Sequence, residues 1–243
     1  MNKKDLLKLW AIVMVAMLSV GFASCSSDDD DDSQIDTSPI TLYAGDKTMV
    51  QGATSVESEN KFVVWVNEDK SVEGFHVGET FIKVNGKSRI PVTVKGKYNT
   101  YEAPVTEWGC NQAFVKSQQK QGTLSSKSDA TSLIYDNVGR AERMLYSFEN
   151  GKLKSVGTVV STAYTSEFAG YMSERFFMLP YEKDNDTYFI GIDALEVEKA
   201  KTYAMLQVYN YKYLVAIYMS ASEASRSSKT KVNLPEKIKE LLK

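Results

Sequence analysis

The 243-residue sequence has a formal net charge of -2, with 29 Lys and Arg residues, 31 Asp and Glu residues and one His. Once the acidic run at residues 28–32 is set apart, the rest is nearly neutral, which argues against a nucleic-acid-binding protein and against an acidic field for cations. A hydrophobic content of 43% and 14 Tyr residues favour a β-rich globular protein, long enough for about two small domains.

The N-terminus has the layout of a secretory signal peptide. An apolar run at residues 9–22 follows Lys3, Lys4 and Lys8. At about 14 residues, this run is shorter than the ~20 residues that span a bilayer. The sequence therefore predicts export across a membrane.

Residues 23–25, Ala-Ser-Cys, end this segment. Small residues directly before a cysteine resemble the lipobox of bacterial lipoproteins. The resemblance implies that residues 1–24 are removed as a signal peptide and that Cys25 is acylated, so that the protein meets the membrane through a lipid anchor. The alternative is an ordinary secreted protein in which Cys25 has no such role.

Residues 25–38 comprise Cys25 and the acidic tether that follows it. Its charged centre consists of Asp28, Asp29, Asp30, Asp31 and Asp32. Like charges at this density repel one another and keep a chain extended. The run resembles the export signal of Bacteroidota-type surface lipoproteins, which implies an outer-membrane protein facing the cell exterior. The alternative is a solvated linker that no transport machinery recognises.

The segment 39–95 is predicted to be an all-β sandwich. Short β-branched or aromatic runs at residues 40–43, 62–66, 79–84 and 90–94 are separated by turn-forming stretches. Asn85 and Gly86 supply the positive φ angles of a type I′ hairpin between the last two runs. Many short strands without helices favour this fold class.

The same segment resembles the bacterial Ig-like group 2 pattern. The resemblance rests on Thr-Leu-Tyr-Ala-Gly at 41–45, Val-Val-Trp-Val at 63–66, and a Gly-x-x-x-Gly-x-Thr-x-Ile-x-Val strand at 74–84. It implies an Ig-like spacer or adhesive stalk module without catalytic residues.

A linker is predicted at 96–104, and an α+β domain at 105–220. Trp108, Gln112 and Val115 fall on one helical face with Asn111 as N-cap. Three strands are predicted to follow, at 131–135, 142–148 and 152–161, with Asn150-Gly151 as the hairpin turn between the last two.

The order of elements then repeats. Thr165 is predicted to cap a helix carrying Phe168, Met172 and Phe176 on one face. Strands are predicted at 177–181, 187–192, 202–209 and 213–219. A helix packed on an antiparallel sheet would thus occur at 105–161 and again at 162–220. This arrangement resembles the helix-then-meander repeats of β-lactamase-inhibitor-like proteins and small outer-membrane assembly lipoproteins.

Aromatic density marks one candidate ligand-binding site. Tyr209, Tyr211 and Tyr213 cluster around a tight reversal and could stack on sugars or form a protein hot spot. The alternative is that the tyrosines of this region, Tyr203 and Tyr218 included, fill the faces of strands beneath a helix.

The last segment, 221–243, combines a Ser-rich stretch with a predicted helix that Asn233 caps. Its apolar stripe consists of Leu234, Ile238, Leu241 and Leu242. A helix this short is not stable alone, so it must dock on its own chain or on a partner.

No catalytic residues, metal ligands or cofactor motif are predicted. Cys110 lacks a neighbouring base, and His76 is expected at an exposed strand end. A carboxylate pair for glycoside hydrolysis could in principle be drawn from Glu167, Glu174, Asp184, Asp186 and Asp193, but a solvated helix face and a polar turn explain these residues as well.

Three hypotheses remain. The first is a non-enzymatic binding or adhesion lipoprotein that recognises a glycan or protein. The second is a protein inhibitor or envelope assembly factor using the α+β domain. The third is a glycoside hydrolase-like enzyme with dispersed carboxylates.

Overall fold

The computed structural model of the protein describes residues 35–183 and 186–227. The predicted signal peptide, Cys25, the acidic run at 28–32 and the helix predicted after Asn233 lie outside these residues. The described chain is mostly β-sheet in several sheets, as its composition predicts.

The described residues fall into two compact units. The first unit contains residues 35–98 together with Ala169–Arg175, and the second contains Asn99–Phe168 and residues 176–227. The predicted linker, 96–104, is divided between them at Tyr98, and its Thr100 and Tyr101 are buried.

The first unit is built from seven short strands in two sheets. The strands are β1 (Ile40–Tyr43), β2 (Lys47–Thr48), β3 (Val56–Ser58), β4 (Val64–Val66), β5 (Val72–Gly74), β6 (Gly78–Val84) and β7 (Ser88–Lys95). One sheet has the order β1-β7-β6-β3, with β1 parallel to β7, and the other has the order β2-β5-β4. This arrangement is compatible with a β-sandwich.

Period-two alternation of apolar residues forms the core of this unit. Ile90, Val92 and Val94 of β7 are buried, while Pro91 between them is half-buried. They pack in one cluster with Val64 and other buried apolar residues from both sheets. Alternate side chains of a strand point to the same face, so β7 presents one continuous apolar row to the core.

The predicted strand at 62–66 is shorter in the structure. Asn60 interrupts its start, because its side chain accepts a hydrogen bond from the Phe62 N–H and its carbonyl accepts one from the Val63 N–H. Residues 61–63 consequently form a turn and β4 begins at Val64. A side chain that bonds to nearby backbone competes with a strand ladder in this way.

The predicted Asn85-Gly86 turn is confirmed. Asn85 has a φ of 50° and Gly86 a φ of 67°, and the Lys87 N–H donates to the Val84 carbonyl. The Asn85 Oδ1 also accepts from the backbone N–H of Thr54 at 2.7 Å. The turn therefore holds the segment that leads into β3.

The second unit is an eight-stranded antiparallel sheet with short helices. Its strands are β8 (Thr123–Leu124), β9 (Ser132–Val138), β10 (Ala141–Glu149), β11 (Lys152–Ser161), β12 (Phe177–Lys183), β13 (Asp186–Ile192), β14 (Thr202–Tyr209) and β15 (Tyr213–Ser220). Its helices are α1 (Gln112–Gln118), α2 (Thr165–Ser173), whose last five residues cluster with the first unit, and α3 (Ala221–Ser227). The strand order is β12-β13-β14-β15-β11-β10-β9-β8.

This strand order is symmetric about the pairing of β11 with β15. Helix α1 is followed by the meander β8 to β11, and helix α2 is followed by the meander β12 to β15. The last strands of the two halves pair antiparallel at the centre of the sheet. The seven strands that the sequence predicts for this unit are all present, and the two-residue β8 was missed.

Two local predictions about helix starts had different outcomes. Asn111 is the N-cap of α1, because its side chain accepts from the Phe114 N–H, as predicted. The prediction that Thr165 caps the second helix was wrong. A 3-10 turn at Thr162–Tyr164 comes first, Ser161 caps it, and the Thr165 hydroxyl instead donates back to the Thr162 carbonyl at 2.6 Å.

The sheet of the second unit is apolar on both sides. Its first face carries Tyr146 and Tyr218, whose hydroxyls reach Gln119 and Tyr101. We call the opposite side the second face, and it consists of Ile134, Leu145, Val159, Met205, Val215, Ile217 and Met219. In the strand register Ile217 lies opposite Met205 and Leu145 lies opposite Ile134, which places these pairs on one side of the sheet.

Candidate functional site

The turn between β14 and β15 presents one tyrosine to solvent. Tyr209 and Tyr213 are cross-strand partners, and both are half-buried. Asn210 and Tyr211 connect them, and Tyr211 is 64% exposed. We call residues 209–213 the tyrosine turn.

Tyr211 occupies a turn position that favours glycine. Asn210 and Tyr211 have φ values of 49° and 56°, the pattern of a type I′ turn. The equivalent position in the two other Asn-led hairpins holds Gly86 and Gly151, with φ values of 67° and 71°. A bulky side chain at positive φ lowers the stability of the fold by about 1 kcal/mol, so Tyr211 is less favourable than glycine at this position.

Hydrogen bonds and a cation hold the tyrosine turn in place. The Lys212 carbonyl accepts from the Thr162 N–H at 2.9 Å, and the Lys212 N–H donates to the Tyr209 carbonyl at 3.1 Å. The Lys212 amine lies 5.1 Å from the centre of the Tyr213 ring, and its hydrogen bond to Tyr213 raises the pKa of Lys212. The Lys212 amine therefore lies beside the ring of Tyr213.

The other tyrosines of this region follow the alternative interpretation. Tyr218 is buried on the first face, with its hydroxyl 2.5 Å from that of Tyr101. Tyr203, Tyr209 and Tyr213 pack against the second face. Of the predicted ligand-binding residues, Tyr211 is thus the one with a largely exposed ring.

A polar cleft of about 610 Å³ lies at the opposite end of the β14–β15 hairpin. Trp108, Glu107, Asp193, Lys201, Thr202 and Ser220 are among the residues that line it. Thr202 pairs with Ser220 at this end and Tyr209 pairs with Tyr213 at the other, seven residues away, which is roughly 23 Å along a strand. The cleft and the tyrosine turn are therefore separate sites.

Sequence reasoning missed this cleft because it placed Trp108 on a helix. Helix α1 begins at Gln112, and Trp108 instead lies in a turn, in which Gly109 has a φ of 85° and the Cys110 N–H donates to the Glu107 carbonyl. The Trp108 indole N–H donates to the Thr202 hydroxyl at 3.3 Å. The Trp-Gly pair was the available signal, since a positive-φ glycine ends a regular element.

Most polar groups of the cleft already have structural partners. Asp193 Oδ1 accepts from the backbone N–H groups of Lys201 at 2.8 Å and Thr202 at 3.0 Å. The Ser220 hydroxyl accepts from the Glu223 N–H at the start of α3. These bonds close a loop and cap a helix. The cleft therefore offers a ligand fewer polar groups than its volume suggests.

The carboxylates considered for hydrolysis have other environments. Glu174 is 2% exposed and accepts from the backbone N–H groups of Lys97 and Tyr98, and burial raises the pKa of its carboxyl. Glu167 lies 4.0 Å from Arg140 on the surface of the second unit. Asp184 lies outside the described residues, and Asp193 closes the loop described above.

Cys110 and His76 belong to different units of the structure. Cys110 is half-buried, and burial followed by the charge of Glu107 raises the pKa of its thiol, which disfavours the nucleophilic thiolate. The prediction that His76 is exposed was wrong, because it is 3% exposed, stacks on the Phe62 ring at 4.1 Å and places Nδ1 2.8 Å from the Phe62 carbonyl.

Within residues 35–183 and 186–227, no group of three or more His, Cys, Asp or Glu side chains is arranged to hold a metal ion. No helix in this part of the chain has the length and hydropathy needed to cross a membrane. Comparisons of the chain with protein-family models, curated proteins and solved structures gave no match.

Proposed function

We propose that this protein is a lipid-anchored, surface-exposed binding or adhesion lipoprotein that recognises a glycan or protein without catalysing a reaction. The anchor would be Cys25, and the acidic run at 28–32 would direct the protein to the outer face of the outer membrane. The first unit would be the Ig-like spacer, and the second unit would be the α+β recognition domain.

The observation that carries this proposal is the conformation of Tyr211. Tyr211 is 64% exposed and has a backbone φ of 56°, where glycine would relieve strain. Residues kept in unfavourable backbone conformations cluster at ligand-contacting sites. A phenol offers a flat apolar face and a hydroxyl with few rotatable bonds, which suits stacking on a sugar ring or packing into a protein pocket.

The position and chemistry of the tyrosine turn fit a binding role. Lys212, directly after Tyr211, adds a cation that can pair with an acidic sugar or a carboxylate. The turn joins β14 and β15, which pair over their full eight-residue lengths, and β15 is one of the two central strands of the sheet. A recognition loop on a rigid hairpin loses little conformational freedom when it binds.

A glycan array and a protein pull-down, both with the purified lipoprotein, test the proposal. Tyr211→Gly and Tyr211→Ala should each abolish or weaken binding at least tenfold, which corresponds to about 1.4 kcal/mol. Tyr43→Ala is the matched control, because Tyr43 is also an exposed tyrosine, at 48%, but lies on β1 of the first unit. Equal binding by all three variants and the wild type would contradict a recognition role for Tyr211.

The inhibitor or assembly-factor hypothesis is favoured by one specific observation. The two helix-then-meander halves pair through β11 and β15, as expected for a duplicated unit. If the pull-down recovers one stoichiometric protein partner and the glycan array stays blank, this second function is preferred. The role of Tyr211 is tested by the same variants in either case.

A further inference from the structure

The polar cleft that Trp108 lines has the size of a small-ligand site. Its volume is about 610 Å³, and pockets that take small organic ligands enclose about 300–1,000 Å³. Trp108 supplies an aromatic ring, and Glu107, Asp193 and Lys201 are among the polar residues that surround it. The cleft therefore combines one flat apolar surface with charged and hydroxyl-bearing side chains.

Trp108 is held in position by the turn that contains it and by its own indole. The Gly109 N–H donates to the Leu153 carbonyl at 3.1 Å, and the Leu153 N–H donates to the Cys110 carbonyl at 2.8 Å, which fastens the turn to β11. The indole N–H donates to the hydroxyl of Thr202, a residue that is 5% exposed. A side chain fixed before a ligand arrives loses little conformational entropy on binding.

The polar side of the cleft is partly fixed and partly accessible. The Asp193 carboxylate accepts from the backbone N–H groups of Lys201 and Thr202, which holds the start of β14. Glu107, Lys201 and Ser222 are exposed residues of the lining. A carboxylate, an amine and a hydroxyl can thus be reached from solvent, although other polar groups of the cleft are used by the fold.

This combination of groups matches a sugar. A sugar hydroxyl both donates and accepts, so it can bond to a carboxylate, an amine or another hydroxyl. The C–H face of a sugar ring is apolar and suits the face of an indole. Two carboxylates, Glu107 and Asp193, outnumber the one amine of Lys201, which disfavours an anionic ligand.

We propose that this cleft is a binding site for a short neutral oligosaccharide. Trp108 stacks on one sugar ring, and the side chains of Glu107 and Lys201 bond its hydroxyls. The site does not rest on the role of Tyr211, because the tyrosine turn lies at the other end of the β14–β15 hairpin, roughly 23 Å away along a strand. Binding at one of these places can be lost without the other.

Tryptophan fluorescence of the full-length protein tests the cleft directly. The three tryptophans of the chain are Trp10, Trp65 and Trp108. In the double variant Trp10→Phe/Trp65→Phe, the emission of Trp108 is the sole tryptophan signal. Titration with short neutral gluco-, manno- and galacto-oligosaccharides should change this emission saturably for at least one series.

Two substitutions in the same background test the polar contacts. Glu107→Gln and Lys201→Gln should each weaken binding about tenfold, because hydrogen bonds to charged groups are stronger than those to an amide. Both residues are exposed, so the melting temperature should stay close to that of the parent protein.

Glu142→Gln is the matched control. Glu142 is exposed and close enough to Lys212 to contribute to the raised pKa of that amine, so it lies at the end of the sheet that carries the tyrosine turn. This variant and Tyr211→Gly should bind the oligosaccharide as tightly as the parent protein.

Three outcomes overturn the proposal. The first is an emission of Trp108 that no oligosaccharide changes. The second is unchanged affinity in both Glu107→Gln and Lys201→Gln. The third is loss of the signal in Tyr211→Gly, which would place the sugar at the tyrosine turn. The proposed role of Tyr211 fails on different evidence, namely equal binding by its own variants in the array and the pull-down.

Discussion

The Glu174 carboxylate lies 2.8 Å from the backbone nitrogen of Lys97, 77 positions away along the chain. The same carboxylate accepts from the Tyr98 N–H at 3.1 Å, and the Glu174 carbonyl accepts from the Val77 N–H at 2.7 Å. Glu174, which directly follows helix α2, therefore accepts hydrogen bonds from two backbone N–H groups that follow β7 and from one that precedes β6. Buried N–H groups require such partners.

This arrangement predicts a pH dependence of the first unit. Burial raises the pKa of Glu174 above its ordinary value, only partly offset by the two N–H donors and by Arg175. A raised folded-state pKa gives a contribution to stability that is present below the unfolded-state pKa and is lost as pH rises through the folded-state pKa. The free energy of unfolding of the wild type minus that of Glu174→Gln should therefore be larger near pH 4.5 than near pH 7.5. The lower pH is close to the ordinary pKa of Glu, about 4.3.

Scanning calorimetry of both proteins across this range measures the difference. Other titrating groups are common to the two proteins and cancel. A wild-type advantage that stays constant or grows with pH would show that the Glu174 carboxyl is not protonated more readily in the folded state.

Two glycines should differ in their tolerance of alanine. Gly139 and Gly151 both have positive φ, 60° and 71°, so alanine costs about 1 kcal/mol of backbone strain at either site. A Cβ at Gly139 would lie 2.7 Å from the Thr100 carbonyl oxygen, whereas one at Gly151 meets nothing within 4 Å. Gly139→Ala should lower the unfolding free energy by about 3 kcal/mol and Gly151→Ala by about 1 kcal/mol in urea titrations. Similar losses would mean that the segment around Thr100 can move away without cost.

Tyr211→Gly should not destabilise the second unit, and should raise its unfolding free energy by up to about 1 kcal/mol, because glycine relieves the positive-φ strain. Tyr211→Ala retains the strain and should give no gain. Tyr209→Ala, which removes a ring packed against the second face, should lower the melting temperature. A large loss of stability in Tyr211→Gly would show that the Tyr211 ring has a packing role.

The proposed anchor separates into two signals. Cys25→Ala should remove lipidation and leave the protein soluble or uncleaved, because one thiol is the attachment point. Membrane fractionation measures this outcome, since two or more acyl chains anchor a protein stably where one binds only reversibly. Recovery of the Cys25→Ala protein wholly in the membrane fraction would contradict the lipid anchor.

Replacement of Asp28 to Asp32 by alanine should keep the lipid and lose surface display. The variant should remain in the membrane fraction but resist protease added to intact cells. Digestion at the wild-type rate would mean that the acidic run acts only as a tether.

Local signals were sufficient where a residue's conformational preference decides the backbone. Asn85-Gly86 and Asn150-Gly151 adopt the positive φ angles that the sequence predicts, and the alternation of Ile90, Val92 and Val94 gives the strand and its inward face. The same signals missed very short strands such as β2 and β8. These strands are held in place by pairing with another strand, which no local sequence pattern indicates.

Burial could not be predicted where it depends on partners distant in the chain. His76 is a core residue because Phe62 stacks on it, and Glu174 is buried because it meets Lys97 and Tyr98. Neither contact leaves a mark in the flanking residues. The tyrosines show the same limit, since Tyr211 and Tyr218 belong to one aromatic-rich stretch and only the register of β14 and β15 exposes one ring and buries the other.

The sequence alone determined the β-rich class, the turns and the positions of the longer strands, because backbone preference and apolar period are local properties. It also carried the signal-peptide pattern and the acidic run, which need no folded context to be read. Only the tertiary structure decided that β11 and β15 join two helix-and-meander halves into one sheet, that this sheet is apolar on both faces, and that Tyr211 stands in solvent. Strand order and exposure arise from contacts between residues far apart in the chain, whose free energy has no counterpart in any short stretch of sequence.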